Sequence, residues 1–300
     1  MLSSMLRVAA CLAVTVLLPA RALAQVPILD GHRFVPSSLV SWSFVDTEVS
    51  STSEAGITDF VVDPVVLQLP TQFDGRFATV SQNVSASYAF DDIVSLNVQL
   101  TGAGIVPLGK VSAIVVGGTG IISEGGGVAV RLLRAGPLQL TLRGDVIDSQ
   151  VESVVPLRIL SGPRITGDVL DVRPALAAAL TVIERVGLQA SATVDWERFD
   201  VDARDDIVGF AGALAATVSL ELVPLTVLVG ANVRHEFGRD LFSPTTEAVF
   251  GPTRTDGNVE AGLYFTGRSE LDLGLLFRGE VGAGDHNNVL HGLFRLGYYF

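Results

Sequence analysis

Four histidines, a run of closely spaced aspartates and two glycine clusters are the parts of this chain whose residue types and spacing could do chemistry. His32, His235, His286 and His291 could each act in acid–base catalysis. None stands in a nucleophile motif, and no Gly-x-Ser-x-Gly elbow is present. His286, between Asp285 and Asn287, is the least implausible catalytic candidate, and positions on a rim or in a lumen explain the four better. Asp200, Asp202, Asp205 and Asp206 offer the oxygen ligands that calcium prefers, but the glycine and terminal glutamate of an EF-hand are missing. A solvated acidic loop is the expectation there. Gly117-Gly118-Thr119-Gly120 and Gly125-Gly126-Gly127 lack the Gly-Lys-Ser/Thr of a phosphate loop, so a flexible outer loop is expected instead of a nucleotide site. No cofactor is expected.

A different set of ionisable residues carries more information. Arg131, Arg143, Asp145, Asp195, Glu197, Glu221, Arg234, Glu236, Glu260, Asp272, Arg278, Glu280 and Arg295 keep to one phase of a two-residue period. That period is the mark of β-strands with unlike faces. In the segment 93–106, Val94, Leu96, Val98 and Leu100 oppose Ser95, Asn97, Gln99 and Thr101. In 76–90, Ala78, Val80, Val84, Ala86 and Tyr88 oppose Thr79, Ser81, Asn83, Ser85 and Ser87, while Gln82 and His235 break the pattern. Counting such segments predicts strands near 38–45, 76–90, 93–106, 126–134, 138–149, 171–184, 186–199, 207–222, 225–237, 255–266, 271–283 and 287–300. Connections near 91, 136, 185, 223 and 269 are tight. Those at 46–75, 107–125, 150–170, 200–206 and 240–254 are generally longer.

Membrane helices are excluded by the same pattern. The most apolar region, Ile207 to Val233, is broken by Glu221, Pro224 and Asn232, and each piece falls short of the roughly 20 residues a spanning helix needs. Residues 1–24 read as a secretory signal, with Arg7, an apolar core from Val8 to Leu18, and Ala22-Leu23-Ala24 before Gln25. Cys11, the only cysteine, lies within it, which leaves no disulfide framework and no thiolate site. The net charge of −12 becomes more negative when Arg7 and Arg21 leave, the wrong sign for nucleic acid.

The last residues supply a resemblance. Leu290, Phe294, Leu296, Tyr298 and Phe300 share one strand face, and His291 and Arg295 share the other. A terminal aromatic on such a strand resembles the closing strand of bacterial outer-membrane β-barrels. The resemblance extends over about residues 38–300 and is to the class, not to one subfamily. It implies an all-β, transmembrane, antiparallel up-and-down barrel of about 12 strands, in an outer membrane of lipid and lipopolysaccharide. It also implies that the assembly machinery reads Tyr298 and Phe300. Short turns on one side and long loops on the other fit that architecture. Aromatic belts are then expected, with Tyr88, Phe90, Phe265, Tyr298, Tyr299 and Phe300 at the periplasmic rim. Trp42, Phe44, Trp196, Phe199, Phe210, Phe237 and Phe242 would lie at the outer rim. Residues 25–37 are expected to form a periplasmic segment, with an interior position as the alternative.

In such a barrel Arg131, Arg143, Glu260, Arg278, Arg295, Asp195, Glu197, Arg234 and Glu236 would line the lumen, since charges avoid hydrocarbon. The expected function is a passive channel for small hydrophilic solutes. The excess of arginine among the five at middle depth (Arg131, Arg143, Glu260, Arg278 and Arg295) predicts weak anion selectivity. A lumen filled by paired charges, giving a non-conducting structural or anchoring barrel, is the alternative. An outer-membrane enzyme is third.

Overall fold

Alternation of apolar and polar residues satisfies a strand that faces two different environments, and twelve such strands close on themselves here. The computed structural model describes residues 26–62, 73–108, 118–154, 164–199, 207–220, 222–237, 255–281 and 289–300. Two short strands come first, β1 (Ile28–Leu29) and β2 (His32–Arg33). The barrel follows: β3 (Glu48–Val62), β4 (Phe73–Phe90), β5 (Val94–Pro107), β6 (Gly118–Ala135), β7 (Leu138–Val154) and β8 (Arg164–Ile183). It continues with β9 (Val186–Phe199), β10 (Ile207–Ser219), β11 (Leu225–Phe237), β12 (Thr255–Arg268), β13 (Leu271–Glu280) and β14 (Val289–Tyr299). Each barrel strand pairs antiparallel with its sequence neighbours, and β14 pairs with β3 to close the ring. Closure removes the free edges that would otherwise expose unpaired backbone.

The register sorts the side chains. Along β5, Leu96 and Leu100 are exposed on the outer face while Ser95 is buried inside. Along β7, Leu142 and Val146 point out, and Gln139 and Thr141 point in with almost no exposure. The tight connections fall at one end, where β3 begins and β14 finishes. Asp91 and Asp92 both adopt positive φ (49° and 56°) there, closed by an Ile93 N–H to Phe90 C=O bond of 3.1 Å. Irregularities at Arg131/Leu133, Thr181/Ile183 and Phe265/Arg268 lie near the same end.

Three expectations are corrected. Residues 38–45 form no strand, and the first barrel strand is β3, inside what reads as a loop at 46–75. Trp42 and Phe44 therefore sit on no outer rim. Phe44 is buried with Phe34, Leu29 and Ala179, and Trp42 packs against that group. A segment wedged against an apolar wall alternates just as a strand does. Gly118, Gly120 and Gly125–Gly127 belong to β6 instead of a loop. Gly127 allows Asp145 and the Gly144 carbonyl to approach, since an added Cβ would lie 2.1 and 2.6 Å from them. Residues 1–25, 200–206, 238–254 and 282–288 lie outside the described residues, and with them the predicted leader, the aspartate run, Phe242 and His286.

Adjacent positions on β5 test the register. Leu100→Arg places a charge on the apolar outer face and should cost about 2–4 kcal/mol. Thr101→Arg turns inward and should cost about 1 kcal/mol for its lost hydrogen bond with Asn83. Denaturant unfolding in detergent or lipid compares the two.

Candidate functional site

The barrel interior is not empty. Residues 26–47 enter it from the end where the tight turns lie and form a plug with little secondary structure. A two-residue Asp30-Gly31 turn joins β1 and β2, with φ of 46° and 81°, the left-handed pair that Asp-Gly favours in hairpins. Beyond this hairpin the plug backbone pairs with side chains of the wall. Thr181 Oγ1 donates to the Leu29 carbonyl (2.6 Å) and Gln189 Nε2 to that of Val35 (2.9 Å). Tyr264 Oη donates to Pro36 (2.6 Å), Gln139 Nε2 to Ser43 (2.6 Å) and Arg143 Nη1 to Trp42 (3.3 Å). The Ser38 N–H and hydroxyl donate to Glu260 at 3.1 and 2.7 Å, and the Ser37 hydroxyl donates to the same carboxylate.

Charge and shape complete the seat. Arg33 Nη2 donates to Asp272 Oδ1 at 2.6 Å, and its guanidinium also reaches the Thr266, Arg268 and Leu271 carbonyls. Asp272, fully buried, accepts from the Tyr299 hydroxyl as well (2.8 Å). His32 is fully buried, with Nε2 2.8 Å from Thr217 Oγ1 and Nδ1 3.2 Å from the Glu184 carbonyl. A Cβ on Gly187 would stand 2.5 Å from both His32 and Phe34, so glycine is needed for the plug to come this close. Val35 packs with Leu228, Tyr264, Leu276 and Leu293, and Val40 with Ala213 and Ala215.

The plug leans on β7–β14. Opposite, it leaves a polar cavity of about 310 Å³ bordered by Trp42, Ser50, Ser85, Ser95, Asn97 and Gln99. Trp42 Nε1 donates to Asp46 Oδ2 (2.7 Å) at its edge. Burial and the neighbouring Glu48 push the Asp46 carboxyl up to about 7, against the pull of Trp42, Arg143 and Arg295. Burial draws the His32 imidazole below its ordinary value, partly offset by the Glu184 carbonyl.

The structure places the sequence-selected residues as follows. Arg143 lies against Asp145 (3.8 Å) and the plug, and Arg295 donates to Glu48. Arg278 and His291 both meet Glu54, and Glu260 holds the plug. Asp195, Glu197, Arg234 and Glu236 come together: Arg234 reaches Asp195 (3.1 Å), Glu197 (2.6 Å) and Glu236 (3.4 Å), while Arg173 joins Asp171 to Asp195. Arg131 stands apart near the tight-turn end, beside an irregularity in β6. Tyr298 and Phe300 face outward at that end, ring against ring at 4.9 Å. The arginines behind the expected anion preference are thus mostly neutralised. Residues passed over in the sequence, namely Arg33, Gln139, Thr141, Thr181, Gln189 and Tyr264, hold the plug, and Tyr299, expected in the periplasmic belt, is instead buried with its hydroxyl on Asp272.

No family model matches the sequence, and no curated protein matches it. Solved structures do. An outer-membrane channel from Pseudomonas putida F1 superposes with a TM-score of 0.59 at 11% identity, covering 89% of this chain and 100% of that one. The translocator domain of the autotransporter NalP from Neisseria meningitidis gives 0.55 at 10% identity, covering 85% and 89%. The chain has the fold of an outer-membrane β-barrel. At these identities the likeness extends to the fold and no further.

Two substitutions test the seat of the plug. Arg33→Met leaves the buried Asp272 without its cation and should destabilise the docked plug by about 3–5 kcal/mol. The second concerns Asp46. A carboxyl raised on docking stabilises fully below its ordinary range, and that contribution is lost as pH climbs towards about 7. His32, lowered on docking, works in the opposite sense: its contribution is present above its ordinary range and lost as pH falls. Asp46→Asn should therefore hold the plug more firmly than the parent at about pH 8 and no more firmly at about pH 5. The rate of thiol labelling at Ser43→Cys, compared between the two backgrounds at each pH, reads the difference.

Proposed function

We propose that this protein resides in the outer membrane as a plugged channel through which small hydrophilic solutes pass beside the N-terminal segment. The observation that carries the reading is the one-sided seat of the plug. Most of its wall bonds run to β7–β14, while Ser87 and Ala89 of β4 hold only its end at Asp46 and Thr47, and a polar cavity is left beside β3–β5. An apolar outer face and a polar inner one suit a barrel in lipid. In this reading Tyr298 and Phe300 are the recognition element for the assembly machinery, and lipid with lipopolysaccharide forms the surroundings.

Towards the long-loop end, solutes from outside would meet two arginines, Arg173 and Arg234, among four carboxylates, Asp171, Asp195, Glu197 and Glu236. Such a field favours cations, so the weak anion preference expected from the sequence is replaced by a modest cation preference. The closed, anchoring barrel is the second reading, favoured by the many bonds that seat the plug.

Planar-bilayer recordings decide between the two. A small, discrete conductance is expected, with a reversal potential of cation-selective sign under a salt gradient. Asp195→Asn with Glu197→Gln should move that potential towards zero, and Arg33→Met should enlarge the conductance. Silence in the parent with conductance only in Arg33→Met would establish the closed barrel instead.

A further inference from the structure

We infer that the cavity beside the plug is a binding station for a small uncharged polyhydroxylated solute, of the monosaccharide or polyol class. The inference names the solute class for the proposed passage, and in that respect it rests on the channel reading. The argument begins with charge. Three arginines, Arg143, Arg173 and Arg295, and three acids, Asp46, Glu48 and Asp145, border the cavity, so its formal charge balances. These groups are also engaged: Arg143 with Asp145, Arg295 with Glu48, Arg173 with Asp171 and Asp195, and Asp46 with the Trp42 indole. An ionic solute would have to draw one of them from its partner and leave a poorly solvated charge behind. The cavity is therefore a poor site for ions, in contrast to the acidic belt towards the long loops.

The remaining lining is of another kind. Ser50, Ser85 and Ser95 bring hydroxyls, and Asn97 and Gln99 bring carboxamides, all from β3–β5; Ser50 and Ser85 bond each other at 2.8 Å and Asn97 Nδ2 donates to Asp145 at 3.0 Å, bonds that a solute hydroxyl can join without baring a charge. Each such group both donates and accepts, as do the hydroxyls of a polyol, so either partner can be satisfied in several arrangements. Trp42 lines the cavity at the plug side; in the proposed pose the C–H face of a sugar ring lies against its indole while the sugar hydroxyls turn to the serines and amides. The volume, about 310 Å³, stands at the lower end of small-molecule sites, roughly 300–1,000 Å³. That is room for one ring and little more.

The test uses the full-length protein in detergent micelles. The chain has 2 tryptophans, so Trp196→Phe leaves Trp42 as the reporter. Titration with D-glucose should change its emission saturably, with an apparent affinity at least tenfold tighter than for glycine or gluconate. Asn97→Leu with Gln99→Leu should weaken glucose binding at least tenfold while the β-sheet circular dichroism is retained. No saturable response to glucose in the otherwise unaltered lining overturns the inference. So does a response to glycine or gluconate as strong as that to glucose. Because binding is read without transport, a saturable glucose response in a protein that conducts nothing removes the channel reading and leaves the site standing. Conductance without a glucose response does the reverse.

Discussion

An irregular backbone placed inside a barrel cannot leave its carbonyls unpaired, and the rest of the interior follows from that demand. Water is largely displaced where residues 26–47 meet the wall, so each plug carbonyl needs a donor. The ladder spends nearly all of the barrel's own backbone groups, and the Phe300 N–H that reaches the Thr47 carbonyl lies just past its end. Most donors therefore come from inward side chains: Gln139, Thr181, Gln189, Tyr264 and Arg143 fill this role. One carbonyl can take two of them: Gln139 and Thr141, both on β7, donate to that of Ser43.

The same demand explains the interior charges. Arg33 meets Asp272 and three backbone carbonyls at once, which suits the planar five-donor fork of a guanidinium better than a lysine ammonium. Asp272 is fully buried, and a buried carboxylate is tolerable only with partners of this quality. Arg33 arrives with the plug, so the wall is electrostatically incomplete until the plug docks. Docking and barrel stability are coupled through this one pair, and strand pairing alone would not produce that coupling.

Much of the barrel was legible in the sequence because one constraint, apolar outside and polar inside, writes itself at every second residue. The twelve-strand total and the tight turns follow from it. The first strand was misplaced because a plug segment alternates too: Val40, Trp42 and Phe44 turn towards apolar wall or neighbouring rings while the Ser41 hydroxyl turns to that of Thr193. Three signals for the plug were present. Leu29-Asp30-Gly31-His32 is a hairpin turn ahead of the barrel. Ala175, Ala177 and Ala179 are small apolar residues on the phase that should face water, with Leu176 and Leu180 on the other. Leu228, Leu276 and Leu293 are likewise apolar and turned inward. A strand apolar on both faces needs something apolar within the barrel. The cavity was not legible, because it depends on where the plug leans, and no local pattern encodes that.

Where the plug leans follows from how the two halves of the wall are furnished. β8–β14 present alanines, leucines and Tyr264 inward, so burying Val35, Val40 and Phe34 there removes apolar surface from water. Above the level of Ala89, β3–β5 present serines, Asn83, Asn97 and Gln99, which gain nothing from an apolar neighbour and lose hydration if covered. The plug is therefore drawn to one side by the hydrophobic effect, and the polar side stays open because covering it has no compensating gain. The arginines reinforce this division. Being paired with carboxylates on the wall, they leave no bare charge in the gap, and Arg143 of β7, which also reaches the plug, holds it on the side it already occupies. A chain that needed only a stopper would gain stability from an inward apolar surface all the way round. Retaining a polar sector forgoes that stability, and under the proposed channel function an open path for polar solutes is the property it preserves.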